Sequence, residues 1–335
     1  MNYAGLLSQL LNREDLSHDD MRDLVQQIMG GQLTSAQIAG ALIALRMKGE
    51  TVVEIAAAAQ VMRDLSIKVE VQDSDHLIDT CGTGGDGAQT FNISTASALV
   101  AAAAGARVAK HGGRSVSSTC GSADVLERLG VNVNLAPQQV ARCVNEIGVG
   151  FMFAPNHHSA MKYAAPVRRE LGVRTLFNLL GPLTNPAGAR NQVMGVFQRE
   201  LTVKLAHVLR LLGARHVLVV HGADGVDEIS ITGPTYVAEL RDDSVSEYVV
   251  QPQDFSLKTA SLDSIRVANV DEAHAMLLSV LDNKPGAARD VVQLNAGAAI
   301  YVAGLTKTLQ EGVARAREVI ASGAAKDKLE ALARV

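Results

Sequence analysis

At His76 the pattern of apolar residues changes, and that change restricts the chain to an α/β architecture. From there short apolar runs alternate with helix-length stretches: HLIDTC, Ile93 to Ala104, RVAKH, Ala123 to Leu129 and VGFMFA, then QVMGVF, Leu201 to Leu212, HVLVVHG and TYVAEL. Strands separated by helices need crossover connections, so the central sheet is expected to be mostly parallel. Everything before this point reads as helix. Ser17 and Thr34 sit where N-caps belong, each followed by apolar residues at helical spacing, and Gly30-Gly31 and Gly49 close those two patterns. A third, alanine-rich helix is expected over Val52 to Leu65, and the tail from about Val270 returns to helices, including one through Val291 to Val302. The expectation is a small all-helical N-terminal domain at 1–70 and a larger α/β domain at 74–335.

Composition removes several function classes. The 335 residues carry 31 Lys plus Arg against 35 Asp plus Glu, a net charge of -4 that argues against broad nucleic-acid binding. Cys81, Cys120 and Cys143 are odd in number and form no CxxC pair, so neither a disulfide framework nor a structural zinc site is expected. The N-terminus lacks a basic segment followed by a long apolar run, and stretches such as Ala98 to Ala104 fall far short of the roughly 20 residues a membrane span needs. A cytoplasmic protein without membrane or nucleic-acid partners is expected.

The most informative motif is Gly82-Thr83-Gly84-Gly85-Asp86-Gly87, between a predicted strand and a predicted helix. It matches the dinucleotide fingerprint in form, but that reading needs an acidic residue roughly 20 positions on. Here the second strand ends instead in Lys110 and His111. What survives is anion chemistry: glycines let backbone N–H groups approach a phosphate, and the next helix presents its positive end. Thr90, Asn92, Ser94 and Thr95 add short polar side chains there, some of which can simply cap the helix. The segment KHGGRSVSS, Lys110 to Ser118, adds two cations, Lys110 and Arg114, with hydroxyls and glycines on the adjacent strand end. Asp227 and Glu228 follow HVLVVHG and are hard oxygen ligands suited to Mg²⁺, with Asp224 as a competitor.

Taken together, GTGGD at 82–86, NIST at 92–95, KHGxRSVSS at 110–118, NLLGPLTNP at 178–186 and VDE at 226–228 resemble the anthranilate phosphoribosyltransferase family over nearly the whole chain. The resemblance implies transfer of the 5-phosphoribosyl group from phosphoribosyl pyrophosphate to the amine of anthranilate, the second step of tryptophan biosynthesis from chorismate. It implies phosphoribosyl pyrophosphate contacts at Gly82, Gly85, Asp86, Thr90, Asn92, Ile93, Ser94, Thr95, Lys110, His111, Gly112, Gly113, Arg114, Ser115, Val116, Ser117, Ser118 and Ser122. It implies one or two Mg²⁺ ions on Ser94, Asp227 and Glu228, and anthranilate contacts at Gly82, Arg168 and Gly113. A homodimer is implied too, associating through the helical unit, residues 1–70 joined by part of 160–190.

Two positions depart from the family pattern. Gly113 stands where the family commonly has an Asn associated with anthranilate, and Cys81 where it often has an aliphatic residue, here read as a small buried hydrophobe. No general base is assigned, because an aniline-type amine loses its proton readily once bonded; His111 is the one candidate inside a motif. The neighbouring His157 and His158 are read as structural, Arg169 as a surface charge. Two rival readings are a pyrimidine nucleoside phosphorylase, which shares the architecture, and a non-catalytic relative that binds nucleic acid.

Overall fold

Capping decides where the N-terminal helices begin. In a computed structural model that describes residues 2–72, 74–114 and 120–335, Asn2, Ser17, Thr34 and Thr51 each accept a bond from the first turn of α1 (Tyr3–Leu11), α2 (His18–Met29), α3 (Ser35–Lys48) and α4 (Val52–Leu65). Thr34 and Thr51 form reciprocal capping boxes with Gln37 and Glu54, each cap being worth about 1 kcal/mol. Glu54 is fully buried, takes the Lys48 ammonium at 2.9 Å and accepts from Leu16 N at 2.9 Å, so one carboxylate ties α3 and α4 to the connection between α1 and α2.

The α/β part runs β1 (Leu77–Gly82), α5 (Ile93–Ala103), β2 (Arg107–Gly112), α6 (Ser122–Arg128), α7 (Pro137–Glu146), β3 (Val149–Phe153), α8 (Ala154–His157), α9 (Ala165–Leu171), α10 (Phe177–Leu180), β4 (Asn191–Gly195), α11 (Leu201–Leu211), β5 (His216–Gly222), β6 (Thr235–Arg241) and β7 (Ser244–Val250). Four helices close the chain: α12 (Val270–Leu281), α13 (Ala287–Val302), α14 (Leu309–Ser322) and α15 (Ala324–Ala333). One seven-stranded sheet has the order β3-β2-β1-β4-β5-β6-β7. Strands β1 to β5 are parallel, and β6 and β7 return antiparallel. The order reverses direction between β1 and β4, and in open α/β sheets the crevice at such a switch point is where ligands bind.

Alternation along the strands divides the core in two. Ile78, Val108, Val193, Leu218 and Val220 join α5 and α12 to α15 on one face. Met194, Val196, Val217, Val219 and Leu240 join α11, the N-terminal helices and residues 164–183 on the other. Thr80 and Lys110 therefore face α5, whereas Asp79 and His111 face the opposite side. Strand β7 and helix α7 were not expected from the sequence. In β7, Ser244, Ser246 and Glu247 are exposed on an edge strand, so its composition reads as loop.

Candidate active site

The glycine turn does two jobs at once. Gly84, Gly85 and Gly87 adopt φ of 64°, 74° and 72°, a region in which a side chain would strain the backbone. Gly82 and Gly195, at the ends of β1 and β4, are needed for a different reason: a Cβ on either would collide with Asp227. The switch point is thus kept open for a residue from the β5 loop. Asp227 accepts from Gly84 N at 2.8 Å, while its own N–H points at Asp86 Oδ2 at 3.4 Å and Asp86 Oδ1 accepts from Ala88 N at 3.1 Å. The Glu228 carboxylate accepts from the Ser94 N–H at the start of α5.

These carboxyls sit in an unfavourable field. Burial pushes Asp227 up to about 7, with the Asp86 charge adding to it. Burial and the Asp227 charge push Glu228 up to about 8, against the opposing pull of Lys110. The competitor Asp224 is engaged within its own loop: its Oδ2 accepts from the hydroxyls of Ser230 at 2.6 Å and Thr232 at 2.7 Å, and its Oδ1 from Val226 N. Among the described residues no ready-made cluster of three His, Cys, Asp or Glu ligands holds a metal. The donors present are nevertheless all hard oxygens, and the mutual repulsion that raises their pKa values is what a divalent cation would relieve.

The basic segment begins inside the sheet. Lys110, His111 and Gly112 belong to β2. Lys110 is only 3% exposed, and its ammonium donates to Thr80 O at 2.6 Å and Ser94 Oγ at 3.1 Å, making it the internal counter-charge of the carboxylate group. Arg114 is turned onto α6, paired with Asp124 and Glu127 at 2.8 and 2.6 Å, because those acids lie one turn apart on the neighbouring helix. It is not a free cation in this arrangement. Ser122 Oγ donates to Gly113 O at 3.4 Å. Ser115, Val116, Ser117 and Ser118 lie outside the described residues.

At the start of α5 the polar side chains do not cap the helix. Asn92 occupies the N-cap without a side-chain cap bond; its amide donates to Cys120 O at 3.1 Å, and its Oδ1 and the Thr95 hydroxyl are buried with no partner among the described residues. Ile93 is a core residue, so only its main chain is available. Thr90 pairs with Arg266 in an isolated bridge beside the turn.

On the other side of β1 a second group forms, which the sequence reading had divided. His111 and His158 lie with ring centroids 5.1 Å apart, each buried, each with an Nε2 that has no partner among the described residues. Their rings hydrogen-bond the main chain of Gly181 and Thr184 respectively. Burial, then the neighbouring histidines, pushes His111 down to about 3; burial, His157 and Lys68 push His158 down to about 4. Both rings are neutral near pH 7. His157 is the structural one of the pair, its Nδ1 2.8 Å from Ile67 O. Arg168 lies 5.6 Å over the Phe177 ring, half-buried, with no acid in ion-pair range among the described residues, and Arg169 is exposed. His157 and His158 are both buried, and two adjacent histidines in a sequence do not reveal which of them meets His111.

Comparisons with known proteins agree with this geometry. Residues 74–326 match the α/β domain of a glycosyl transferase family and residues 4–66 its helical bundle domain. The anthranilate phosphoribosyltransferase of Methylobacillus flagellatus is 63% identical over 97% of this chain and 96% of its own length; that of Nitrosomonas europaea is 58% identical over 99% and 97%. The crystal structure of the Thermus thermophilus enzyme superposes with a TM-score of 0.93 at 44% identity, covering 98% of this chain and 99% of that one. The Saccharomyces cerevisiae enzyme, in complex with phosphoribosyl pyrophosphate and Mg, gives 0.89 at 27% identity over 98% and 96%. Matched along nearly its whole length in sequence and in fold, the chain belongs to the anthranilate phosphoribosyltransferase family.

Proposed function

We propose that the crevice between β1 and β4 binds phosphoribosyl pyrophosphate with Mg²⁺, and that the His111–His158 side binds anthranilate. The chain transfers the 5-phosphoribosyl group to the anthranilate amine, releasing pyrophosphate, the second step of tryptophan biosynthesis. One observation carries the assignment of sites: carboxylates with raised pKa values and a buried lysine meet the glycine turn on one side of β1, while two neutral imidazoles with unpartnered nitrogens meet on the other.

The phosphoribosyl contacts are drawn from Gly82, Gly85, Asp86, Thr90, Asn92, Ser94, Thr95 and Lys110. One or two Mg²⁺ ions would be held by Ser94, Asp227 and Glu228 and would supply charge neutralisation of the departing pyrophosphate. The unpartnered Asn92 Oδ1 and Thr95 Oγ1 suit ribose hydroxyls or phosphate-bound water. Arg168 pairs with the anthranilate carboxylate, and the Nε2 atoms of His111 and His158 accept from its amine, aiming the nitrogen lone pair at the anomeric carbon. Positioning then supplies much of the acceleration, and no residue has to act as a strong base. The helical unit, residues 1–70 with part of 160–190, carries homodimerisation. Its support is an apolar groove of about 560 Å³ between α1 and α3, bordered by Leu11 and Met47 at 69% and 68% exposure. A cytoplasmic location is supported by three free thiols.

The test is pyrophosphate release from phosphoribosyl pyrophosphate, with and without anthranilate. Release that depends on anthranilate is expected. Phosphorolysis of thymidine or uridine without such release would favour the nucleoside phosphorylase alternative.

A further inference from the structure

Asp79 is an acid in the middle of a buried strand, 1% exposed, and no chemistry described above uses it. Three donors converge on it. Asn185 Nδ2 gives at 2.7 Å, His111 N–H at 3.2 Å, and the Cys81 thiol also bonds it. Asn185 has no slack: its Nδ2 also donates to Ala109 O at 2.8 Å, and its Oδ1 accepts from Ala187 N at 2.9 Å. Cys81 is more than a small hydrophobe, for its sulfur lies 3.0 Å from Gln192 Nε2, which gives a second bond to Pro182 O at 2.7 Å. The carboxylate thus holds the Asn185 end of the 182–185 segment and the main chain of His111 directly, and the Pro182 end through Cys81 and Gln192. The Gly181 and Thr184 main chain, in or beside that segment, holds the rings of His111 and His158.

We infer that Asp79 is a positioning residue for the acceptor half of the site, setting the aim of the two imidazoles through Asn185, Pro182 and the His111 backbone. The inference rests on the anthranilate reading of that half. The phosphoribosyl contacts share no hydrogen bond with Asp79: they reach β1 through Thr80 O to Lys110 and through Thr80 Oγ1 to Ser94 O, on the face turned to α5, and Asp79 acts on that side only through the field it shares with Lys110. Disturbing Asp79 should therefore separate the two substrates. Asp79→Asn keeps the shape but brings an NH₂ group against one of the three donors, and Asn185 cannot flip to accept it without abandoning Ala187 N.

The experiment measures both KM values and kcat for the full-length wild type, Asp79→Asn, Asn185→Ala and the double variant, with calorimetry of phosphoribosyl pyrophosphate plus Mg²⁺. The anthranilate KM is expected to rise at least tenfold in each single variant, while phosphoribosyl pyrophosphate affinity stays within threefold. The double variant should be no worse than the poorer single one, since both break one network. A proportional loss for both substrates would make Asp79 merely structural and overturn the inference, as would an unchanged anthranilate KM. Should Asp79→Asn fail to fold, Asn185→Ala decides alone, and an unselective effect there sinks the idea. Failure of the functional reading is separately visible: the wild type itself would release no anthranilate-dependent pyrophosphate.

Discussion

The two groups of buried titratable side chains around β1 respond to the same loss of water in opposite ways. On the phosphate side, Asp227 and Glu228 are pushed up and keep a mutual repulsion that Lys110 only partly offsets. On the side proposed for the acceptor, His111 and His158 are pushed down and end neutral, each with an Nε2 unpartnered among the described residues. Burial disfavours charge in both cases. What remains differs: crowded carboxyls call for a cation, and neutral imidazoles call for an N–H donor. That division suits a reaction whose leaving group is a polyanion and whose nucleophile is an uncharged amine beside one carboxylate.

The contrast breaks most severely at Asp227. Asp227→Asn can still accept from Gly84 N, so the loss would report the charge and not the turn. A fall in kcat/KM of about 10² to 10³ is expected, the range for removing one preorganised electrostatic contact. Calorimetry should show weakened binding of phosphoribosyl pyrophosphate with Mg²⁺, and near-normal turnover would refute the phosphate-side assignment. Next in size is Arg168→Ala. Losing one hydrogen-bonded charge, worth about 1.5–3 kcal/mol, should raise the anthranilate KM about 10- to 100-fold. Phosphoribosyl pyrophosphate kinetics should stay within about twofold, because Arg168 lies over Phe177, which packs on the face of the sheet opposite α5. Equal effects on both substrates would show that the halves are not separable.

The neutral histidines also leave a signature in stability. In the unfolded chain they titrate near about 6.5, whereas in the folded chain they are held to about 3 and about 4. Between those limits the unfolded state binds more protons, so stability rises with pH and is lost as pH falls below roughly 6.5. Each histidine contributes a slope of at most about 1.4 kcal/mol per pH unit. Denaturant unfolding at pH 7, 6 and 5 should show a shallower decline for His111→Asn with His158→Asn than for wild type. An identical decline would mean that these rings do not stay neutral.

Much of this molecule is legible in its sequence, for identifiable reasons. Ser17, Thr34 and the Val52 to Leu65 helix announce themselves because capping and apolar spacing are local. The glycine turn and the Asp227-Glu228 pair are legible because phosphate chemistry requires unusual residues at strand ends. What escapes depends on partners distant in the chain. Gly82 reads as an anion cradle, but its lack of a side chain makes way for Asp227, 145 residues later (227 minus 82). Arg114 reads as a free cation until α6 brings Asp124 and Glu127 beneath it. Asp79 and His158 carry no pattern of their own, and only the packing of residues 181–185 gives them meaning.

The smallest expected effect falls at Gly113, the position read from the sequence as a departure from the family pattern. Among the described residues nothing lies within 4 Å of a Cβ at Gly113, and the backbone there is not left-handed, so its conformation suits an L residue. The Gly113 carbonyl keeps its bonds from Ala123 N and Ser122 Oγ whatever the side chain. Gly113→Asn adds an amide two residues from His111, and one extra neutral hydrogen bond is worth about 0.5–1.5 kcal/mol. The anthranilate KM should accordingly fall about 2- to 10-fold, with phosphoribosyl pyrophosphate kinetics unchanged. Reducing the freedom of the unfolded chain should also raise the melting temperature slightly. If the amide left the anthranilate KM untouched, position 113 would not reach the acceptor, and the low-polarity acceptor side would be complete with Arg168 and the two imidazoles alone.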